Sequence, residues 1–484
     1  MAFERVGVVG LGTMGAGIAE VFARAGLRVI GVEADAEALA RGRGLLERST
    51  ARAVDKGRLS AERREEILGR VTLTTSRDDL READLVVEAI PEILDYKISL
   101  FRDLDGVCKP ETVLATNTSS LPVTALAAAT GRPGRVVGMH FFNPAPVMRL
   151  VEVVRTVMSD TDVVAEITAL ATRLGKTPVT VGDRAGFVVN RLLLPCLNHA
   201  ALLVEQGIAG RDDIDVAMTR GAGLPMGPFA LLDLIGLDTA YEVMEVLFDE
   251  TRDRRHAPAP LLRELVTAGR LGRKSGRGFY GAEQARPQGP GRSGVITFDV
   301  AGPGADELAE RLGAAGFTRA GDDPDVVLRF SDRPVVEHAV RLSDPSRMVG
   351  VHLVGEEVAE LARTALTSDT AAGAAIDLMK VAGRAPVPCK DRAGFVVDAL
   401  LLPYLNDAVR MHDAGYASAD DIDAAMRLGC GYPAGPFEML ESIGLARARD
   451  GLRALYAEYR DPAFAPAPLL DQLVTSGAAE FPRR

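Results

Sequence analysis

The sequence predicts an α/β protein built as a duplicated pair. A doubly wound sheet is followed by an all-helical domain, then by a shortened sheet module and a second copy of the helical domain. Three observations predict this. Apolar strand-like runs alternate with helix-forming stretches through residues 6–140, as in a parallel sheet with helices on both faces. The first run opens into Gly10-x-Gly12-x-x-Gly15. The segment Asp183-Arg-Ala-Gly-Phe-Val-Val-Asn-Arg-Leu-Leu-Leu-Pro195 returns 208 positions later as Asp391-Arg-Ala-Gly-Phe-Val-Val-Asp-Ala-Leu-Leu-Leu-Pro403, which marks an internal repeat.

The glycine run sits where a strand turns into a helix. Gly10 permits the tight turn, Gly12 lets backbone approach a pyrophosphate, and Gly15 allows the helix over 16–25 to pack closely on the strand. Thr13 and Met14 lie between the second and third glycines. Amides at the helix start point at an anion, and the helix dipole adds to the attraction. A second strand, Arg28-Val-Ile-Gly-Val-Glu33, ends on an acid where a ribose diol would sit. Together these features read as a Rossmann-type dinucleotide site.

The alternation continues. Asp84-Leu-Val-Val-Glu-Ala-Ile90 reads as a buried strand, 96–104 as helix and Val113-Leu-Ala-Thr-Asn117 as the next strand. The turn Thr118-Ser119-Ser120 follows, then helix 123–129 and strand Val136-Val-Gly-Met-His140. Ligands of such sheets lie beyond the carboxyl ends of the strands, so Ser119 and His140 fall at the functional edge. From Asp183 the pattern becomes helical, over 192–208, 214–220, 229–248 and 260–268. Residues 281–293, rich in Gly, Pro, Arg and Gln, read as a flexible linker.

The repeat extends beyond its first motif. Gly227-Pro-Phe229 recurs as Gly435-Pro-Phe437, and Ala257-Pro-Ala-Pro-Leu-Leu262 as Ala465-Pro-Ala-Pro-Leu-Leu470. Between the helical copies, Val295-Ile-Thr-Phe298, helix 305–315 and Asp325-Val-Val-Leu-Arg-Phe330 read as a shortened strand–helix–strand module. It carries Gly302-x-Gly304 without a third glycine at the required spacing. The expected domains are therefore 1–182, 183–281, 294–390 and 391–484.

Composition narrows the function classes. The chain has 484 residues, is 47% hydrophobic and carries a net charge of −11. That charge argues against nonspecific nucleic-acid binding. No apolar run is long enough to cross a membrane, and the first apolar residues read as a strand rather than a secretory leader. Cys108, Cys196, Cys389 and Cys430 lie far apart without metal or redox spacing. Cysteines so placed read as reduced core residues, which suits a cytoplasmic location. Residues 37–70 run against the acidic balance, with nine Lys or Arg against six Asp or Glu. On residues alone this stretch favours a solvated helical pair over a polyphosphate contact.

His140 stands at a strand end in His140-Phe-Phe-Asn-Pro144, and Glu152 follows in Leu150-Val-Glu-Val-Val154. A carboxylate in that otherwise buried segment needs a partner. A His–Glu pair supplies one, fixing the imidazole tautomer and stabilising its cation. Ser119 and Asn190 offer neutral hydrogen bonds to an oxygenated substrate. The residues alone leave open whether His140 is a general base or a hydrogen-bonded structural histidine.

Five motifs, in order, resemble the 3-hydroxyacyl-CoA dehydrogenase family. They are Gly10-Leu-Gly-Thr-Met-Gly-Ala-Gly-Ile-Ala-Glu20, Ala115-Thr-Asn-Thr-Ser-Ser120, His140-Phe-Phe-Asn-Pro144, Gly186-Phe-Val-Val-Asn-Arg191 and Gly272-Arg-Lys-Ser-Gly-Arg-Gly-Phe-Tyr280. The resemblance covers residues 1–281, and the two-module layout resembles the long bacterial members. It implies an NAD-dependent enzyme oxidising a short-chain (S)-3-hydroxyacyl-CoA to the 3-oxoacyl-CoA, in fatty-acid, butanoyl-CoA or phenylacetate catabolism. His140 would be the general base, Glu152 its orienting partner, and Ser119 and Asn190 the groups that hold substrate oxygens. Gly10, Gly12, Thr13, Met14, Gly15, Glu33, Ala89, Glu92, Lys97, Asn117, Asn143 and Lys274 match cofactor-lining positions. Ser49 and Lys56 match positions that meet coenzyme A, which reverses the reading of 37–70, since CoA phosphates need cationic company. Glu33 stands where the family commonly has aspartate; either would repel a 2′-phosphate. No metal is implied.

The competing readings are a related sugar-acid or hydroxy-acid dehydrogenase, and a catalytically inactive nucleotide-binding homologue with a structural or regulatory role. The His-Phe-Phe-Asn-Pro motif weighs against the first, and the intact Ser119, His140, Glu152 and Asn190 set against the second. In the second module His352 and Glu360 are the counterparts of His140 and Glu152, four residues closer together, and Asp398 replaces Asn190. That module is expected to lack an active site. Family members with one helical domain generally dimerise through it, so the two copies here are expected to pair as an intrachain pseudo-dimer.

Overall fold

The computed structural model describes residues 3–281, 297–302 and 305–483. The expected linker beyond Gly281, the strand start at 295–296 and Gly304 lie outside the described residues. The described residues fold into two sheets and many helices. Contacts divide the chain into two compact units: Met1–Arg191 with Ala414–Gly435 and Arg483–Arg484, and Leu192–Asp413 with Pro436–Pro482.

In the first unit, short runs rich in Val, Leu and Ile make an eight-stranded sheet: β1 Arg5–Val9, β2 Arg28–Val32, β3 Val71–Thr74, β4 Leu85–Glu88, β5 Val113–Thr116, β6 Val136–Phe141, β7 Leu150–Arg155 and β8 Thr177–Gly182. Its order is β3-β2-β1-β4-β5-β6-β7-β8. The connecting helices are α1 Thr13–Arg24, α2 Ala36–Asp55, α3 Ala61–Gly69, α4 Leu94–Val107, α5 Val123–Ala128 and α6 Thr161–Arg173. Ile18, Phe22 and Ile167 pack with Val87, Met139 and Val153 in one buried cluster, so the sheet face under α1 and α6 is closed to water.

One expectation is corrected here. The sheet is not wholly parallel, because β7 runs antiparallel to β6 and sets His140 directly opposite Glu152. A hairpin can join antiparallel neighbours, whereas a parallel pair needs a long crossover; only nine residues separate Phe141 from Val151.

The helical segments are α7 Val189–Glu205, α8 Arg211–Val216, α9 Pro228–Ile235, α10 Leu237–Thr251 and α11 Pro260–Thr267. The single helix expected over 229–248 is two. Gly236 takes φ 102° between α9 and α10, a conformation closed to most L residues.

The shortened module holds β9 Thr297–Ala301, α12 Ala305–Ala314, β10 Thr318–Arg319, β11 Val326–Phe330, α13 Val336–Ala339, β12 Met348–Val354, β13 Val358–Arg363, α14 Asp369–Val381 and β14 Ala385–Lys390. Its sheet runs β10-β9-β11-β12-β13-β14. β12 and β13 form an antiparallel hairpin that pairs His352 with Glu360. The four residues missing between them come out of the turn, so the register survives. The second helical copy comprises α15 Val397–Asp413, α16 Ala419–Cys430, α17 Pro436–Ile443, α18 Leu445–Tyr459 and α19 Pro468–Thr475. Within the second unit the helical copies meet directly. Arg255 pairs with Asp407, and a cavity of about 290 Å³ is lined by Leu192, Cys196 and His199 from one copy and Leu400, Pro403 and Phe464 from the other.

Candidate active site

The three glycines make a cradle that admits no substitutes at two points. Gly10 has φ 87°, and a Cβ on Gly15 would lie 1.7 Å from the Gly10 carbonyl oxygen. A Cβ on Gly12 would meet nothing within 4 Å, so its backbone is open to a ligand. α1 begins at Thr13, directly behind that opening. A cleft of about 1170 Å³ lies over the cradle, lined by Gly10, Gly12, Thr13, Met14, Glu33 and Ala89 among others. Glu33 accepts hydrogen bonds from the amides of Leu11 at 2.6 Å and Ala34 at 3.2 Å. The carboxylate is thus fixed at the rim with lone pairs to spare for a diol. The residues present fit a dinucleotide.

Behind the cleft is a buried polar network. Glu88 is fully buried and accepts from Lys97 Nζ at 2.6 Å, Ile90 N at 2.7 Å and Thr116 Oγ1 at 2.7 Å. Lys97 is itself buried and also pairs with Glu92 at 3.2 Å. It therefore anchors Glu92 from inside the fold. Glu92 accepts from Thr118 Oγ1 at 2.5 Å and from Ser119 N at 2.9 Å. Burial alone would raise its carboxyl, but Lys97 and these donors hold it below the usual carboxylate range. The network fixes the turn that carries Ser119. Asn117 joins the same edge by accepting from Phe141 N at 2.8 Å.

The β6–β7 hairpin brings the two central groups together. His140 Nδ1 lies 2.7 Å from Glu152 Oε2, and both side chains are buried. The other glutamate oxygen accepts from Val188 N at 3.0 Å and Val189 N at 3.1 Å. Glu152 thereby accepts three hydrogen bonds, and as an acceptor-only carboxylate it favours the proton on Nδ1 of His140. Phe142 and Phe187 flank the imidazole, with ring centroids 4.6 and 5.7 Å away. Phe187 has φ 45°, unusual strain for an aromatic residue and of the kind that collects at functional sites. Asn190 follows Val189 in sequence and so stands next to the amides that grip Glu152. Asn143 is exposed on the turn between the two strands.

Residues 37–70 form the expected helical pair, α2 and α3. Ser49 lies on α2 and Lys56 caps its C-terminus. They are seven residues apart, two helical turns, and so share one face. Lys274 belongs to the second unit, where its Nζ is 2.6 Å from Asp238 Oδ2.

Sequence reading missed several groups. Lys176 Nζ donates to the carbonyls of Ala145 at 2.5 Å and Met148 at 2.7 Å, pinning the turn between His140 and Glu152. Burial pushes this ammonium down to about 8, with Arg24 adding to the effect and Glu20 opposing it. Glu88 and Thr116 were missed because their strand sequences show nothing beyond buried positions. A detectable signal also went unused. Ser119-Ser-Leu-Pro-Val123 returns as Ser331-Asp-Arg-Pro-Val335, and both runs are capped alike. Asp183 accepts from Val123 N and Thr124 N, as Asp391 does from Val335 N and Val336 N.

The second module thus keeps more than expected. His352 Nδ1 is 2.6 Å from Glu360 Oε2, and Glu360 Oε1 accepts from Val396 N and Val397 N at 3.1 and 2.8 Å. Phe395 repeats the strain of Phe187 at φ 46°. The nucleotide side differs. Gly302 keeps a positive φ of 111°, but Glu307 stands five residues on, where the first module has Gly15. Asp306 and Glu307 make the first turn of α12 acidic, a turn that repels phosphate.

Residues 5–184 match the model of the 3-hydroxyacyl-CoA dehydrogenase NAD-binding domain. Residues 186–282 and 394–481 match that family's C-terminal domain. The chain is 37% identical over 478 residues to 3-hydroxyadipyl-CoA dehydrogenase of Escherichia coli, covering 98% of both chains. It is 47% identical over 281 residues to a 3-hydroxybutyryl-CoA dehydrogenase of Mycobacterium tuberculosis, covering 58% of this chain and 98% of that one. A crystal structure of 3-hydroxybutyryl-CoA dehydrogenase from Escherichia coli superposes with a TM-score of 0.85 at 36% identity, covering 99% of this chain and all of the other. No helix among the described residues is long and apolar enough to cross a membrane. With both of the family's domains matched and a relative aligned along nearly its whole length, the chain belongs to the 3-hydroxyacyl-CoA dehydrogenase family of NAD-dependent oxidoreductases.

Proposed function

We propose that the protein oxidises a short-chain (S)-3-hydroxyacyl-CoA to the 3-oxoacyl-CoA in cytoplasmic acyl-CoA catabolism, with His140 as general base. The observation that carries this reading is Glu152, itself held by two backbone amides, gripping Nδ1 of a buried imidazole at the carboxyl end of β6, in the sheet whose β1 leads into the glycine cradle. NAD, when bound, supplies the hydride acceptor. Nε2 of His140 takes the proton of the 3-hydroxyl, and Glu152 stabilises the imidazolium that forms. Ser119 and Asn190 hold the substrate oxygens. The glycine cradle takes the pyrophosphate, and Glu33 accepts from the adenosine ribose. Ala89, Glu92, Lys97, Asn117, Asn143 and Lys274 line or support the cofactor site, and Ser49 and Lys56 meet the CoA phosphates.

This reading covers both hydroxybutyryl and hydroxyadipyl chains and the pathways that use them. The second module is inactive in it, and the two helical copies pair as an intrachain pseudo-dimer. The test is NADH oxidation with acetoacetyl-CoA, followed by kinetic efficiency across acyl chains that include a dicarboxylic one. Tight NADH binding without turnover on any of them would instead make the protein an inactive nucleotide-binding homologue.

A further inference from the structure

Residues 414–435 come from the second helical copy, yet they form one compact unit with the first module. Helix α16 lies on β7 and β8. Tyr416 Oη donates to the Gly182 carbonyl at 2.8 Å. Arg483, from the chain end, pairs with Asp423 at 2.5 Å and Asp420 at 3.5 Å and holds the helix from outside. Near the C-terminus of α16, Gly429 lies flush on the sheet module. A Cβ built there would stand 2.9 Å from Val189 Cγ2 and 3.1 Å from Leu150 Cδ2. At the first distance something must shift, and at the second Leu150 must give by a few tenths of an ångström.

The residues under Gly429 are not ordinary packing partners. Val189 donates its amide to Glu152 Oε1, and Glu152 Oε2 holds His140 Nδ1. Leu150 lies two residues before Glu152 on β7. Pressure at Gly429 therefore reaches the imidazole through one side chain, one amide and one carboxylate. Val189 is β-branched and has little rotamer freedom to absorb it.

The same exchange runs the other way inside the second unit. Gly221, 208 positions before Gly429, would place a Cβ 3.1 Å from Val354 Cγ1 and 3.5 Å from Val358 Cβ. Val358 opens β13 as Leu150 opens β7. An equivalent glycine of each helical copy thus packs on the sheet of the other pair's module. Only Gly429 also meets a residue whose amide grips the glutamate.

We infer that Gly429 is a positioning residue for the His140–Glu152 pair, so that the second helical copy completes the active site of the first module. This inference rests on His140 being the base. It acts on the geometry of the pair, so it affects turnover and leaves binding alone. The NADH cleft is lined by residues between Val9 and Asp103, away from the Gly429 contact.

The test is steady-state kinetics of full-length Gly429→Val with acetoacetyl-CoA and NADH. The expected result is a kcat lower by about 10- to 100-fold, the scale of a sub-ångström to 1 Å misplacement, with both KM values within about twofold of the unaltered protein. Adding Val189→Ala to Gly429→Val makes room and should restore most of the lost kcat. Unchanged kcat, raised KM with unchanged kcat, or a loss that Val189→Ala does not relieve would each overturn the inference. If Gly429→Val does not fold, Gly429→Ala takes its place, with a severalfold fall in kcat expected and an unchanged kcat overturning the idea. His140→Gln is measured beside them. If that variant keeps full activity, the base assignment has failed; if it is inactive while Gly429→Val is not, only the positioning role has failed.

Discussion

Asp398 follows Val396-Val397 as Asn190 follows Val188-Val189, and in each module the valine pair gives both amides to the glutamate that holds a histidine. One frame has been kept and one group in it changed. Asp398 is held by Arg447 at 3.1 Å. Burial alone would lower His352, but the Glu360 hydrogen bond and charge, helped by Asp398, raise it above the ordinary histidine range. A base wanted in its neutral form is poorly served by two carboxylates that favour its cation.

The second module should therefore contribute no turnover. His352→Gln is expected to leave acetoacetyl-CoA reduction within about twofold of the unaltered protein, and titration with NADH should reach one site per chain, since Glu307 replaces the glycine that closes the cradle. Loss of activity in His352→Gln, or a second NADH site, would count against this. The same substitution should cost stability below neutral pH. A histidine raised by folding stabilises fully below its unfolded value, and that contribution fades as pH rises through its folded value.

His140→Gln should lower kcat by about 10²- to 10⁴-fold, the usual range for loss of a general base. Glu152→Gln should fall in the same direction, because an amide cannot stabilise the imidazolium and two backbone donors already occupy one oxygen. NADH affinity, measured by fluorescence, should barely move in either variant.

Much of the candidate site is legible in the sequence because its residues are local. The glycine cradle, Glu33, Ser119 and His140 each lie at or just beyond the end of a strand that the hydrophobic pattern identifies. What could not be read depends on pairing. Leu150-Val-Glu-Val-Val154 is a buried run whatever its direction, so nothing in it shows that it turns back on β6 and meets His140. Lys97 reads as a cationic helix residue, and only the fold shows it buried against Glu88. That residues 414–435 fold with the first module is a long-range choice that no local period encodes.

Cofactor choice is expected to follow from Glu33. Its carboxylate is fixed by the Leu11 amide at the cleft rim, so a 2′-phosphate brought to it meets like charge. Two such charges about 4 Å apart repel by about 1 to 4 kcal/mol, depending on exposure, which is at least about fivefold in preference. NADPH should be the poorer cofactor by kcat/KM, and Glu33→Ala should narrow the gap. Equal use of both by the unaltered protein would remove this role.

His199 makes the contact between helical copies sensitive to acid. It lines the cavity between them, with Arg254, Arg255, Asp407, Asp461, Tyr404, Tyr459 and Cys196 as the titratable or charged groups around that space. Burial pushes the imidazole down to about 4, outweighing the pull of Asp461 and Asp407. Folding thus lowers this histidine. Between about 4 and its unfolded value of 6.5 the unfolded chain binds the extra proton, so stability falls as pH drops through that window, by about 1.4 kcal/mol per pH unit at the steepest. His199→Leu should flatten the pH dependence of Tm between pH 4 and 6.5. An unchanged slope would show that His199 is not protonated on unfolding.

Removal of residues 391–484 tests the pseudo-dimer and the exchanged helix together. The cut uncovers Leu192, Pro195 and Leu203, which face Leu400 and Pro403 across the cavity, and breaks the Arg255–Asp407 ion pair. An apolar helix face of this kind is stable only when covered. The cut also strips α16 from β7 and β8, baring the strand that carries Glu152. The truncated chain should therefore aggregate or pair with a second copy through the uncovered face. Pairing would re-cover α7 and bring the second copy's Gly221, the equivalent of Gly429, onto β7, so a soluble truncated dimer should recover turnover that a truncated monomer lacks. Size-exclusion chromatography with light scattering gives the assembly state, and the acetoacetyl-CoA assay gives the turnover. A truncated protein that stays a soluble monomer with full activity would show that neither the covered face nor the exchanged helix matters.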